Sequence, residues 1–147
     1  MVDPVQAHAV STALPPARPA LGWVAAGVFM AGGFGAVLRT VTASWIDRLV
    51  GHVLPHGGTL AVNLLGCLLI GLLGSLLSGP ARVVFLGGFL GALTTYSTFA
   101  LLTTELAGEG RLGVLAVQLL AHLVGGALCV VAGLALARAL APLLAGR

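Results

Sequence analysis

The sequence predicts an all-α membrane protein with four transmembrane helices. Of its 147 residues, 59% are hydrophobic and only 7% are charged, and the mean hydropathy is +1.10. A soluble domain normally carries about 25% charged residues, which solvate its surface. Because one transmembrane helix needs roughly 20 apolar residues, the chain has room for four of them with short loops and no separate soluble domain.

A second observation is a polar run inside one of the apolar segments. The stretch Gly91-Ala-Leu-Thr-Thr-Tyr-Ser-Thr-Phe99 holds four Thr and Ser residues and a Tyr. Hydrocarbon cannot hydrogen-bond these side chains, so they must face protein, an ion or a water-filled path. Clustered β-branched and hydroxyl residues beside a glycine also disfavour a regular helix interior. We therefore predict that the third helix is broken near Thr94, a feature at which membrane proteins tend to bind ions.

The arginines provide a third observation, which concerns orientation in the membrane. Four spans would leave four arginines on one side and three on the other, namely Arg18, Arg82, Arg138 and Arg147 against Arg39, Arg48 and Arg111. The positive-inside rule needs a clear bias to set one topology, and this difference is small. We expect insertion in both orientations, so that inverted copies pair as an antiparallel dual-topology homodimer. The alternative is that one or two arginines dominate and the topology is single.

The first 20 residues differ from the rest of the chain. They contain prolines at positions 4, 15, 16 and 19 and no apolar core. A secretory signal would open with basic residues followed by an apolar region, whereas this chain opens with Asp3 and Pro4. We expect residues 1–20 to form a disordered tail before a four-helix transmembrane domain over residues 21–147.

Each span is predicted from an apolar run and the turn residues beside it. The first helix is predicted over residues 21–38, with an amphipathic continuation to Leu49. Ser78-Gly79-Pro80 is a stop signal after the second span. The other spans are predicted at 58–77, 81–104 and 112–140, with loops at 52–57, 79–80 and 108–110.

The charged residues and cysteines exclude several functions. All seven basic residues are Arg and they form no cluster, so no nucleic-acid surface is expected. Cys67 and Cys129 lie in apolar stretches and are interpreted as buried core residues rather than a disulfide or metal pair. No Asp or Glu falls inside a predicted span. This argues against proton-coupled antiporters and cation channels, which generally need an intramembrane carboxylate.

The remaining polar side chains and rings of the spans suit an anion. The Asn63 amide either joins helices or donates hydrogen bonds to an anion. Tyr96 and Phe99 are three residues apart on one helix face, and their electropositive ring edges could contact an anion.

Three further residues have two interpretations each. Arg39, at the end of the first span, either extends to the interface or lines a vestibule that concentrates anions. Gln118 and His122 are four residues apart and share a face of the fourth span. They either line a path or cross-link helices.

Three motifs resemble the fluoride channel family (Fluc/CrcB). They are Gly32-Gly-Phe-Gly-Ala-Val-Leu-Arg39, Gly58-Thr-Leu-Ala-Val-Asn-Leu-Leu-Gly66 and Gly87-Gly-Phe-Leu-Gly-Ala-Leu-Thr-Thr-Tyr-Ser-Thr-Phe99. The last resembles the family form Gly-x-x-Gly-x-x-Thr-Thr-Phe-Ser-Thr-Phe. Together the motifs place the resemblance over roughly residues 23–138.

The resemblance implies a passive channel, not an enzyme, that exports cytoplasmic fluoride across the plasma membrane. It implies an antiparallel homodimer in lipid, with two fluoride pores along the subunit interface and a structural sodium ion at the dimer centre. The backbone carbonyls of Gly91 and Thr94 match the positions that hold the sodium ion. The implied fluoride pore residues are Asn63, Tyr96, Phe99, Ser97 and Thr98, with Arg39 in the vestibule.

The chain departs from the family pattern at two places. Tyr96 stands where the family usually has Phe, which adds a phenol to the path. Gln118 and His122 take the places of the polar track on the fourth span and are weaker pore candidates. Because imidazole changes charge near physiological pH, a histidine there predicts pH-sensitive conduction.

Two other functions fit parts of the pattern. A small multidrug exporter also uses four helices and dual topology, but it would need a membrane-embedded Glu in the first span. A non-transporting membrane assembly subunit would use the polar cluster only to join helices. Drug-stimulated proton flux would identify the exporter, whereas a reconstituted assembly subunit should pass no ion.

Overall fold

The structure is a computed structural model that describes residues 21–51 and 54–145. Within these ranges all regular elements are helices, and four of them are long and apolar enough to cross a membrane. These are the first span Leu21–Val50, the second span Gly57–Leu76, the third span Gly79–Gly108 and the fourth span Leu112–Leu143. The predicted four-span, multi-pass membrane architecture is confirmed. The tail predicted over residues 1–20 lies outside the described residues.

The first span is one continuous helix of 30 residues, which confirms the predicted continuation to Leu49. Near its end, the Asp47 carboxylate accepts a hydrogen bond of 2.8 Å from the backbone N–H of Gly58. Gly58 lies in the first turn of the second span, where helical N–H groups have no partner of their own. His56 precedes that turn and provides no side-chain cap, so Asp47 satisfies the N-terminus from a neighbouring helix.

The second and fourth spans pack closely through a pair of glycines. A Cβ at Gly71 would overlap the carbonyl oxygen of Val130, and a Cβ at Gly133 would overlap that of Leu68. Small residues allow membrane helices to approach this closely, and van der Waals contact then stabilises the pair. These two approaches therefore hold the second span directly against the fourth.

The third span begins at Gly79, so the loop predicted at 79–80 was wrong. Pro80 lies in the first helical turn, where its missing N–H costs nothing and its restricted φ fits a helix. The Arg82 guanidinium donates to the carbonyl of Gly74, near the end of the second span. Residues Val83–Leu90 then follow π-helical geometry up to Gly91. Such segments are rare and often accompany functional sites.

The fourth span starts at Leu112, as predicted, and its helix continues to Ala145, beyond the predicted end at residue 140. A short π-helical segment, Ala121–Gly125, interrupts its α-helical geometry and contains His122. Most large apolar side chains of the spans are exposed on the subunit surface, while Val62, Leu90 and Leu93 form its most buried core. Exposed apolar surface of this kind suits contact with lipid or with another transmembrane helix.

Candidate ion site at the third span

Two residues in the middle of the third span have non-helical backbone. Thr94 has φ −90° and ψ 156°, and Thr95 has φ −148° and ψ 115°, so both are extended. The residues before them are helical through Leu93, and the residues after them form the helix Tyr96–Gly108. We refer to Thr94 and Thr95 as the interruption. Carbonyls at the end of the upstream helix and N–H groups at the start of the downstream helix lose their helical partners there.

Asn63 pairs with the backbone of the interruption. Its Oδ1 accepts from the N–H of Thr95 at 2.8 Å, and its Nδ2 donates to the carbonyl of Thr95 at 3.2 Å. An amide group has two N–H hydrogens, so one of them remains for another acceptor. Asn63 therefore joins the second and third spans, and one of its two N–H groups remains to donate to an anion.

A close approach of the second and third spans supports this pairing. A Cβ at Gly66 would overlap Cγ2 of Thr94, so only glycine leaves room for the threonine at this distance. The Thr94 hydroxyl turns back along its own helix and donates to the carbonyl of Leu90 at 3.0 Å. Its oxygen is thus placed toward the upstream helix rather than toward Asn63.

Thr95 caps the downstream helix. Its Oγ1 accepts from the N–H of Thr98 at 3.2 Å, donates to Oγ1 of Thr98 at 3.1 Å, and lies 3.2 Å from Oγ of Ser97. Because the Thr98 oxygen accepts this bond, its own hydroxyl hydrogen remains available as a donor. Thr95 was not predicted as a site residue. A hydroxyl residue immediately before a helix is a sequence signal for such a cap, and Thr95 directly precedes the helix that begins at Tyr96.

A cavity of about 290 Å³ lies beside the interruption. Its polar and aromatic wall comes from the second, third and fourth spans, and its other lining residues are apolar or small. The lining residues are Asn63, Gly66, Cys67, Ile70, Leu90, Gly91, Thr94, Thr95, Tyr96, Phe99, His122 and Leu123. This lining brings together six of the predicted site residues, and it contains no carboxylate and no guanidinium.

Three rings lie in a row along this wall. The Tyr96 and Phe99 ring centroids are 5.9 Å apart, and those of Phe99 and His122 are 4.3 Å apart. Tyr96 is 80% exposed on the subunit surface. The row therefore runs from the surface at the third span to a ring on the fourth span.

His122 is held by one hydrogen bond. Its Nδ1 lies 2.9 Å from the carbonyl of Gln118, and a carbonyl can only accept, so Nδ1 donates. Its Nε2 is buried, and the described residues provide no hydrogen-bond partner for this atom.

Four predicted residues do not line the cavity. Gln118 is 4% exposed, and its Nε2 donates to the carbonyl of Pro55 at 2.7 Å, which connects the fourth span to the turn before the second. Arg39 is half-buried on the first span and is not part of the lining. Ser97 and Thr98 lie just behind the lining and reach it through Thr95.

Comparison with known proteins identifies the family of the chain. Residues 26–134 match the family described as CrcB-like protein, Camphor Resistance (CrcB). The chain is 42% identical over 113 residues to the fluoride-specific ion channel FluC of Agrobacterium fabrum, covering 73% of this chain and 90% of the relative. It is 44% identical over 117 residues to the protein of the same name from Pseudomonas putida strain F1, covering 74% and 92%. A third, from Rhizobium johnstonii, is 38% identical over 120 residues, covering 78% and 95%. Because the match covers most of the chain and includes the interruption and the cavity, this protein belongs to the CrcB-like family.

Proposed function

We propose that this protein is a passive fluoride-selective channel of the plasma membrane that exports cytoplasmic fluoride and so relieves its toxicity. The observation that carries the proposal is the cavity wall at the interruption, which combines an amide, a hydroxyl cluster and aromatic rings without a carboxylate. The relatives that cover this region are named as fluoride-specific ion channels. Flux follows the fluoride gradient, and no catalytic step is involved.

The donors at the interruption suit a small anion. The second N–H of Asn63, the Thr98 hydroxyl and the Tyr96 phenol each provide one hydrogen, with Ser97 beside Thr98, and the edges of the Tyr96 and Phe99 rings are electropositive. The N-terminus of the downstream helix adds the positive end of its dipole. Fluoride is strongly hydrated, so these donors replace its water one after another, and each of them is weak enough to release it.

A second copy of the chain completes the site. Tyr96 is 80% exposed, and Gly91 and Ser97 are also exposed, although all three lie halfway along the third span. Lipid tails cannot satisfy the polar groups of this patch, so a protein partner is required. The near balance of arginines supports an inverted copy as that partner, which gives an antiparallel dual-topology homodimer with fluoride paths at the interface.

A structural sodium ion fits the upstream side of the interruption. The carbonyls of Gly91 and Thr94 lie at the end of the helix that precedes it, where the dipole is negative. Hard cations take oxygen ligands, and unwound backbone carbonyls hold Na⁺ in other membrane proteins. The ion would compensate the partial negative charge of the carbonyls that lose their helical donors at the interruption. At the dimer centre, both copies would supply carbonyl ligands to it.

The other predicted residues take supporting roles. Arg39 attracts fluoride at the entrance to the path from its position on the first span. His122 belongs to the path because its ring lines the cavity against Phe99. Gln118 connects the fourth span to Pro55 and stabilises the fold around the path.

Fluoride efflux from proteoliposomes tests the proposal. Vesicles loaded with potassium fluoride should release it rapidly to a fluoride electrode when an ionophore carries the counter-ion. Chloride-loaded vesicles and protein-free vesicles should show only background release. Asn63→Ala should abolish efflux while the protein still elutes as a dimer in detergent. Vesicles that contain the wild-type protein and stay tight to fluoride would refute the proposed function.

A further inference from the structure

The Asn63 pairing ends the helical ladder of the third span at one defined position. In a continuous α-helix the N–H of Thr95 would donate to the carbonyl of Gly91, four residues earlier. Here that N–H donates to Oδ1 of Asn63 at 2.8 Å. One residue earlier the ladder is intact, since the N–H of Thr94 donates to the carbonyl of Leu90 at 3.0 Å. Asn63 therefore takes the donor that would otherwise belong to Gly91.

We infer that Asn63 is a positioning residue that keeps the Gly91 carbonyl without its helical donor and so makes it available to Na⁺. This inference rests on the sodium ion of the proposed function and assigns to Asn63 a role separate from contact with fluoride. One side chain then contributes to both ion sites, with its Oδ1 for the cation side and its remaining N–H for the anion side.

The surroundings leave Thr95 few other partners. Thr95 is 9% exposed, and a buried backbone N–H without a partner costs free energy comparable to a lost hydrogen bond. The Nδ2 of Asn63 also holds the Thr95 carbonyl at 3.2 Å, so both backbone groups of this residue are bound to one side chain. Without Asn63, the N–H of Thr95 is satisfied most simply by returning to Gly91, which would close the ladder and remove the carbonyl from the cation site.

Two variants separate the accepting role of Asn63 from its other roles. Asn63→Leu has a similar volume but no oxygen, so it loses both bonds to Thr95. Asn63→Asp keeps an oxygen for the Thr95 N–H in either protonation state. Thr104→Val is a matched control in the same span, because the Thr104 hydroxyl is exposed and bonds only to Ala100 of its own helix.

The measurement is the apparent melting temperature of the purified dimer in detergent, in sodium chloride and in N-methylglucamine chloride. Sodium should raise it by about 5 °C for wild type, Asn63→Asp and Thr104→Val, because a ligand that binds only the folded state stabilises it. Asn63→Leu should show no difference between the two salts. A second readout is amide exchange in the wild-type dimer, in which the N–H of Thr95 should be protected.

Each outcome decides the inference. A sodium effect that persists in Asn63→Leu, no sodium effect in wild type, or an unprotected Thr95 amide would overturn it while leaving fluoride efflux to be judged separately. If Asn63→Leu does not fold, the comparison of wild type with Asn63→Asp and the Thr95 exchange rate still decide it. Failure of wild-type vesicles to release fluoride refutes the proposed function and does not by itself change the sodium result.

Discussion

The rings of Phe99 and His122 lie with their centroids 4.3 Å apart and their planes inclined by 31°. Phe99 belongs to the downstream half of the third span and His122 to the π-helical segment of the fourth, so this contact joins two spans at the cavity wall. Tyr96 extends the row of rings to the subunit surface. A substitution of Phe99 by a residue without a ring therefore removes the ring contacts with both Tyr96 and His122.

Phe99→Ile should reduce fluoride efflux by at least about tenfold, which corresponds to roughly 1.4 kcal/mol in the barrier. Isoleucine has no electropositive ring edge, and it loses the contact with His122. Initial efflux rates from proteoliposomes provide the measurement. Phe85→Ile is the matched control, because Phe85 is exposed on the upstream half of the same span and does not line the cavity. Equal rates for wild type and Phe99→Ile would remove Phe99 from the path.

His122→Ala should reduce fluoride efflux by about tenfold, which corresponds to roughly 1.4 kcal/mol in the barrier. The imidazole lines the cavity against Phe99, so alanine removes one of the three rings of the row. Initial efflux rates from proteoliposomes at a single pH provide the measurement.

Protein-free vesicles correct this comparison for hydrogen fluoride that crosses the lipid. His56→Asn is the control variant, because His56 lies before the second span, away from the cavity, and its left-handed backbone suits asparagine. Equal efflux for wild type and His122→Ala would show that the His122 ring is not part of the path.

Thr95→Val should lower the free energy of unfolding by about 1 kcal/mol, the typical loss for an N-cap. Valine preserves the shape of threonine but cannot accept from the N–H of Thr98 or bond its hydroxyl. Unfolding in mixed detergent and sodium dodecyl sulfate, followed by circular dichroism, measures the change. Thr95→Ser retains the oxygen and should remain within about 0.5 kcal/mol of wild type. The cap has no role in stability if both variants unfold alike.

Asp47→Ala should destabilise the protein by about 1 kcal/mol in the same assay, because the N–H of Gly58 loses its acceptor at the start of the second span. The exposed ion pair between Arg111 and Glu109 is the comparison, with its side chains 44% and 58% exposed. Solvent screens such pairs, so Glu109→Gln should leave stability unchanged. A larger loss for Glu109→Gln than for Asp47→Ala would contradict this account.

Gly71→Ala should destabilise the protein by about 2 kcal/mol, the scale of an overpacked contact. The added methyl group would overlap the carbonyl of Val130 and force the second and fourth spans apart. Gly113→Ala has open space around the added atom and should be neutral. Detergent unfolding and the elution volume of the purified protein provide the measurement, and a neutral Gly71→Ala would show that these spans can separate at no cost.

Local sequence properties were sufficient to predict the four spans and to locate the polar run that contains the interruption. Hydropathy and length determine whether a segment crosses a membrane, and both are local properties of the chain. The spacing of Tyr96 and Phe99 also placed them on one face, because helical periodicity is local. The loop predicted at residues 79–80 was wrong for a local reason as well, since Gly-Pro fits either a turn or a first helical turn.

Which side chains meet depends on how the separate helices pack against one another. Asn63 and Thr95 are 32 residues apart, and Gln118 and Pro55 are 63 apart. Their contacts depend on the rotation and relative depth of separate helices, which are set by close approaches such as those of Gly66 and Gly71. Gln118 therefore lies against a turn while His122, one helical turn later, lies against Phe99. Helical periodicity places Gln118 and His122 on one face of the fourth span, but their packing against different neighbours gives them different roles.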